Sequence, residues 1–512
     1  MNFGKTYLGI ELGSTRIKAC LIGEDANPIA KGGFDWQNEY DGKYFTYSLE
    51  DARRGLSECY ASLVGELGEA PDTLGAIGIS GMMHGYLAFD GDWNLLVPFR
   101  TWRNTTAEGA AAKLRSLFGF NIPARWSIAH LYQAMLDGED HLPNLKYMTT
   151  LSGYIHFLLT GRHELGICEA SGMFPVKGGD YDREMIAKFN EAARALGYDI
   201  DVYEILPRVR TAGEGGAYLT EDGAALLDRS GRLKSGIPLC PPEGDGGTGM
   251  VATNAVRIGT GNVSAGTSVF GMLVLDKPLS RLYPEIDIIT TPSGEPVAMA
   301  HCNNGCSELD GWVNIFAEFA ELFGIDATKG ELYKRLYENA MSADCDCGEV
   351  MSYNFLASEP VAKVDGGAPM IFRTRSSKMN LKNLFRSQLC SAIAPLALGM
   401  DILFKSEGFK ANKFMAHGGL FKVEGVAQQI LADALGCEVS ISETAGEGGA
   451  YGMALLAAFA AVGDGALCDW LDRFAFENSS VTALSPTDVG MRGFADFMKL
   501  YEAGLSAQRA IN

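Results

Sequence analysis

The sequence predicts an α/β protein of two domains around a central cleft, and three observations carry that expectation. At 512 residues the chain exceeds what one hydrophobic core usually supports, so two domains are the default. Two strand–turn–strand segments, residues 6–23 and 256–271, turn on a glycine followed by two hydroxyl residues, Gly13-Ser14-Thr15 and Gly266-Thr267-Ser268. One such turn is an ordinary β-turn; a pair so far apart suggests a duplicated fold whose turns grip one polyphosphate from both sides. The third observation is the glycine-rich stretch 236–271, in which Asp245 stands between Gly244 and Gly246 after the apolar run Ile237 to Cys240. That placement puts a carboxylate on a loop at a sheet edge, where a catalytic base commonly sits.

Composition narrows the function classes. The chain is 47% hydrophobic and 21% charged, the balance of an ordered globular protein. A net charge of −20 argues against nucleic-acid and membrane partners, and any anionic ligand would need an amide-lined or locally positive pocket. The first residues, MNFGKTYLGIELG, lack the pattern of a signal peptide, and no apolar run reaches membrane-spanning length, so a cytoplasmic location is expected. Eleven cysteines without a framework fit a reducing compartment. Cys302 with Cys306 and Cys345 with Cys347 are close pairs, but neither has a second pair at zinc spacing.

In chain order, Ala76 to Ser80 reads as a strand entering the loop Gly81 to Gly85, with His84 at the turn, and Tyr86 to Asp90 resumes a strand. Pro98 to Asn104 combines the Trp102 plate with the Arg103 guanidinium and the Asn104 amide, groups suited to stacking on and bonding a polyol. Helical patches span 129–136 and 151–159, ending at Thr160-Gly161; Glu169 to Gly172 reads as a short polar turn, and 184–196 as an amphipathic helix. Helices follow over 310–323, 329–341, 381–407 and 423–435. Lys413 to Phe421 reads as a strand ending in Gly418-Gly419, Val439 to Ile441 as a short strand, and Gly446 to Gly452 as the opening of an Ala-rich helix to Ala460. The boundary is placed at 245/246, giving domains 1–245 and 246–512.

The order of these motifs resembles the FGGY carbohydrate kinases, and among them the xylulokinase-like members, over nearly the whole chain. GIELGSTRIKA (9–19) is similar to the family's first phosphate motif, ISGMMHG (79–85) to its sugar loop, and YIHFLLTGRHELGICEASG (154–172) to the helix and turn that follow. PEGDGGTG (242–249) resembles the segment of the catalytic Asp, SAGTSVFG (264–271) the second phosphate motif, and AHGGLFK with AGEGGAYGMALLA the adenosine region.

The resemblance implies two ribonuclease-H-like domains of the actin and sugar kinase superfamily, and ATP-dependent phosphorylation of a ketose or polyol with Mg²⁺. Asp245 would be the base. Met83, His84, Trp102, Arg103 and Asn104, with Asp245, would bind the acceptor. Gly13, Ser14, Thr15, Lys18, Gly266, Thr267, Ser268, Gly418, Gly419 and Gly449 would hold ATP, and Glu11 and Asp245 the metal. D-xylulose is the expected acceptor, with another ketose, a sugar acid or a polyol as alternatives; a binding protein that has lost turnover is the rival reading. The expected partners are a small sugar and ATP, and a homodimer is compatible with them. Three departures bear on the acceptor and the metal: Glu11 stands where the family usually has Asp, Met82 where Gln is frequent, and Trp102-Arg103-Asn104-Thr105-Thr106 where many members carry W-x-D-x-R.

Overall fold

The computed structural model describes residues 3–442, 448–477 and 479–511, with the Ser442 side chain left out. The chain folds into two compact units. One comprises Met1–Arg257, Ile288–Val297 and Glu447–Ser479; the other comprises Ile258–Asp287, Ala298–Gly446 and Ser480–Asn512. Compactness thus divides the chain differently from a single cut at 245/246.

In the first unit, β1 (Tyr7–Leu12), β2 (Arg16–Ile22), β3 (Pro28–Asp35), β4 (Ala76–Gly81), β5 (Ala217–Tyr218) and β6 (Pro238–Leu239) form a sheet in the order β5-β6-β4-β1-β2-β3. β1 pairs antiparallel with β2 and parallel with β4, and β7 (Glu243–Gly244) joins the far edge of β4. Leu8, Ile10 and Leu12 of β1 share a core with Ile77 and Ile79 of β4 and with Leu56, Tyr60 and Leu63 of the helix Leu49–Leu67. Ser48 caps that helix at its start and Gly68, at φ 81°, ends it. The helix Gly448–Val462 also belongs to this unit, because Gly9 presents bare backbone to it: a Cβ there would collide with the Ala450 carbonyl.

The second unit repeats the arrangement. β8 (Thr260–Ala265), β9 (Val269–Val274), β10 (Lys413–His417), β11 (Glu438–Ser442) and β12 (Val481–Leu484) lie in the order β9-β8-β10-β11-β12. β8 pairs antiparallel with β9 and parallel with β10, as β1 does with β2 and β4. The helix Leu381–Asp401 buries Phe385, Leu389, Ile393 and Leu396. With its continuation to Ser406 it is the one described segment long and apolar enough to cross a membrane, and it is mostly buried within the protein.

Several elements differ from expectation for local reasons. The strand expected at Val256 to Gly259 begins at Thr260, after Gly259 turns at φ 78°. Glu169 to Gly172 is not a polar surface turn; Ile167–Ser171 is a short helix whose five residues are buried. The long helix ends at Asp401 and runs into a π-helical turn, Ile402–Ser406. The helix expected from Val423 starts at Val426, behind Gly425 at φ 76°. Gly446 and Glu447, read as opening the Ala-rich helix, lie outside the described residues.

Candidate active site

Both hairpin tips have their carbonyls tied back. At Gly13-Ser14-Thr15, the Trp36 indole N–H donates to the Gly13 carbonyl at 2.7 Å, the Tyr47 hydroxyl to the Ser14 carbonyl at 2.7 Å, and the Trp36 amide to the Thr15 carbonyl at 3.2 Å. At Gly266-Thr267-Ser268, the amides of Cys306, Gly305 and Gly266 donate to the carbonyls of Gly266, Thr267 and Ser268 at 2.8, 2.8 and 2.9 Å. A carbonyl facing a phosphate repels it, so engaging all three in each tip leaves the side-chain hydroxyls, with Thr15 and Thr267 exposed, to face an anion.

Behind the first tip stands Glu11. It pairs across the strands with Lys18, its Oε2 3.9 Å from Nζ, and lies beside Ser80 on the parallel side. Its carboxylate also accepts from the Ala450 amide in the first turn of the helix Gly448–Val462, where the helix dipole favours negative charge. Burial raises its pKa; Lys18 and the Ala450 amide oppose the rise, and the charge of Asp245 adds to it. Gly449 is placed by this acid. A Cβ there would collide with Glu11 Oε1 and sit 2.8 Å from Thr248 Oγ1, so only glycine allows this close packing in the first unit.

Asp245 is the first residue of the helix Asp245–Ala252, not a loop residue, because Gly244 serves as N-cap and an acid suits the first turn. Its side chain is exposed to solvent. Crowding by protein raises its pKa, and the amides of Met83, Gly246 and Asp245 itself oppose that rise. The Met83 amide donates to Asp245 Oδ1 at 3.3 Å, which joins the Met83-His84 loop to the acid.

His84 sits at φ 69° and is buried, with its ring stacked on Trp126 at 6.1 Å between centroids. Its Nδ1 donates to the Gly172 carbonyl at 3.0 Å. Trp102 is exposed. Arg103 is exposed too, donating to Asn38 Oδ1 at 2.9 Å with its guanidinium over the Phe45 ring. Asn104 faces the backbone of its own loop and of Phe45. It is buried, its Oδ1 accepts from the Phe45 amide at 2.8 Å, and its Nδ2 donates to the carbonyls of Phe45 at 2.8 Å and Thr101 at 3.0 Å. Its amide is spent on fixing the loop that carries Trp102 and Arg103, and both donor hydrogens are used.

In the second unit, the Gly266-Thr267 tip and Gly419 line one cavity of about 920 Å³ with Asp310, Tyr333, Lys334, Tyr337 and Lys422. Gly418 does not line it but builds it. It holds φ 109°, and a Cβ would collide with the Ala265 carbonyl, so only glycine lets β10 turn beside β8. The space around Gly419 is open. Tyr333 donates its hydroxyl to Asp310, and Lys334 pairs with Glu338 at 3.9 Å.

Sequence reading passed over two acids. Glu243, buried, accepts from the amides of Glu169, Cys168 and Gly244, and burial holds its carboxyl at about 8. Glu169 is buried beside it, and burial raises its pKa well above the usual range; the Thr150 and Ser152 hydroxyls lie near without closing to bond geometry. Trp36 and Tyr47 were missed as well. The signal for Glu243 was in plain view, two residues before Asp245, whereas nothing in the sequence around Glu169 tied it to that acid.

A twice-used sheet, hairpin tips cleared of carbonyls and a carboxylate at a helix start define a phosphotransferase. Residues 6–251 match the N-terminal domain of the FGGY family of carbohydrate kinases, and residues 261–461 its C-terminal domain. The chain belongs to that family, whose members bind a sugar and use ATP. It is 22% identical over 463 residues to a xylulose kinase of Haemophilus influenzae, covering 85% of this chain and 86% of that one. It is 23% identical over 459 residues to a gluconokinase of Bacillus subtilis, covering 85% and 84%. Among solved structures, the xylulose kinase from Lactobacillus acidophilus superposes with a TM-score of 0.79 at 17% identity, covering 99% of this chain and 98% of that one. The gluconate kinase of the same organism gives 0.78 at 17% identity with the same coverage.

Proposed function

We propose that this kinase phosphorylates a ketopentose, D-xylulose to D-xylulose 5-phosphate, with Asp245 as general base. The observation that carries this reading is the bond from the Met83 amide to Asp245 Oδ1, at 3.3 Å. It ties the loop that resembles the xylulokinase-like sugar loop to the carboxylate that would accept the proton.

A sugar hydroxyl is a weak nucleophile, so a carboxylate in hydrogen-bond reach must take its proton as the bond to phosphorus forms. Asp245 is exposed and its raised pKa makes it a better acceptor than an ordinary Asp. His84, fixed in orientation by Gly172 and Trp126, would bond a sugar hydroxyl, and Trp102 would offer an apolar wall. The first unit would carry acceptor and base, and the second the nucleotide, in the cavity lined by Gly266, Thr267, Gly419 and Lys422. The hydroxyls of Ser14, Thr15, Thr267 and Ser268 and the ammonium of Lys18 would receive phosphate oxygens.

Mg²⁺ would be held by Asp245 and Glu11 together with nucleotide oxygens, and would supply charge neutralisation on the phosphates. The donor set fits an ion that arrives with a polyphosphate: among the described residues no group of three His, Cys, Asp or Glu side chains forms a protein cage. Glu11 is already engaged by Lys18 and the Ala450 amide, so Asp245 would be the stronger donor.

A second reading, a sugar-acid kinase acting on gluconate, is favoured by the gluconokinase likeness at 23% identity. ADP release measured over D-xylulose, D-ribulose, L-ribulose, gluconate and glycerol decides between them. The highest kcat/KM is expected for D-xylulose; a clear win for any other acceptor overturns the substrate while leaving the kinase.

A further inference from the structure

The second unit holds a buried pair of thiols that phosphoryl transfer does not use. Cys347 and Cys390 are both buried, and the Cys347 thiol donates to the sulfur of Cys390 at 3.7 Å. Cys390 lies on the helix Leu381–Asp401, and Arg386 stands four residues earlier, on the same face. Arg386 is buried, and its Nε finds no acceptor. A buried guanidinium without a full set of partners is costly, and a Cys390 thiolate one helical turn away would lower that cost. The hydrogen bond from Cys347 and the charge of Arg386 pull the Cys390 pKa down against its burial and the charge of Asp433.

The segment bearing Cys347 is itself unusual. Cys347, Gly348 and Glu349 follow one another at φ 60°, 56° and 60°, and left-handed backbone is strained for the two that are not glycine. A short strained segment opens more readily than a packed helix, which gives a small oxidant a route to the sulfurs.

We propose that Cys347 and Cys390 are an oxidisable dithiol, a modification site that a hydroperoxide closes to an intramolecular disulfide. The Cys390 thiolate attacks the peroxide oxygen, giving a sulfenic acid and releasing water or an alcohol. Cys347 then attacks that sulfur, the S–S bond forms, and the hydroxyl leaves as a second molecule of water. Two thiols are oxidised, one peroxide is reduced, and the sulfur separation shortens to about 2.05 Å. The helix Lys329–Met341, which lines the nucleotide cavity through Tyr333 and Tyr337, precedes the Cys347 segment in the chain.

The test treats the full-length reduced protein with hydrogen peroxide, alkylates it after denaturation, and maps the peptides by mass spectrometry. One linked peptide joining Cys347 to Cys390, lighter by two hydrogens and reversed by dithiothreitol, is expected, with the other nine cysteines alkylated. The linked form should unfold at a higher temperature, because the bond restricts the unfolded chain. Cys347→Ser should abolish the link, and Arg386→Met should slow its formation about tenfold, as one pKa unit of lost thiolate would. Links through the partly exposed Cys345, links between molecules, or full alkylation of both Cys347 and Cys390 after peroxide would overturn the proposal. Should either variant fail to fold, the peptide map of the unmodified sequence decides alone.

Discussion

The two hairpins occupy the same station in their sheets and solve the same problem with different groups. In the first, side chains brace the tip: the indole of Trp36 and the hydroxyl of Tyr47 occupy two of the carbonyls. In the second, backbone amides of Gly305 and Cys306 take that part. Two residues before the tip glycine, the first hairpin has Glu11 and the second has Ser264. The strand lying parallel to each hairpin, β4 or β10, also leads into a left-handed residue, His84 at φ 69° in one unit and Gly418 at φ 109° in the other. One station therefore presents an acid and an imidazole, the other a hydroxyl and bare backbone. The contrast teaches that the two copies keep one backbone arrangement, a hairpin beside a parallel strand, while differing in the side chains they set around it.

The largest effect should come from removing the acid that separates the copies. Asp245→Asn keeps shape and loses proton acceptance, and kcat should fall about 10²- to 10⁴-fold with the KM for ATP little changed. Steady-state ADP release at saturating acceptor measures it, and a near-native kcat would place the base elsewhere.

His84→Ala probes the side chain at the first station. A sugar hydroxyl left unpaired in a closed site costs about 1–3 kcal/mol, so kcat/KM for the acceptor should drop about tenfold or more while ATP hydrolysis without sugar persists. Because His84 also packs on Trp126, the melting temperature is recorded alongside; equal loss of both activities would mean that the residue only holds the loop.

At the second station the corresponding change is Gly419→Val. Gly418 would not serve, since its φ and its contact with Ala265 make any side chain a folding defect, whereas Gly419 has open space around it. If the nucleotide lies on bare backbone there, as proposed, a branched side chain should raise the KM for ATP about tenfold, or 1.4 kcal/mol, and leave the KM for sugar alone. An unchanged ATP KM in the folded variant would move the nucleotide out of that cavity.

A different kind of effect concerns stability. Burial holds Glu243 at about 8, against an ordinary 4.5, so the folded state favours its protonated form. The stability from that proton is present below about 4.5 and is lost as pH rises through about 8. Glu243→Gln removes this titration; across that window the melting temperature of the unmodified protein should fall relative to the variant, and the gap should level off above it. Parallel melting curves from pH 4 to pH 9 would deny the shift.

The family, the α/β class, the duplicated hairpins and the acid between glycines are legible along the chain. Turn chemistry and strand patterning are local, and Gly13-Ser14-Thr15, Gly266-Thr267-Ser268 and Gly244-Asp245-Gly246 each state their conformational need within a few residues. What braces each tip, the engagement of Asn104 by the backbone of Phe45 and Thr101, and the packing of Gly449 against Glu11 emerge from the packed fold. It also set Glu169 and Glu243 side by side and Cys390 against Cys347. Each of these joins residues distant in the chain. Burial and hydrogen-bond partnership depend on which surfaces meet when the sheets and helices pack, and a reading along one chain at a time holds no information about that.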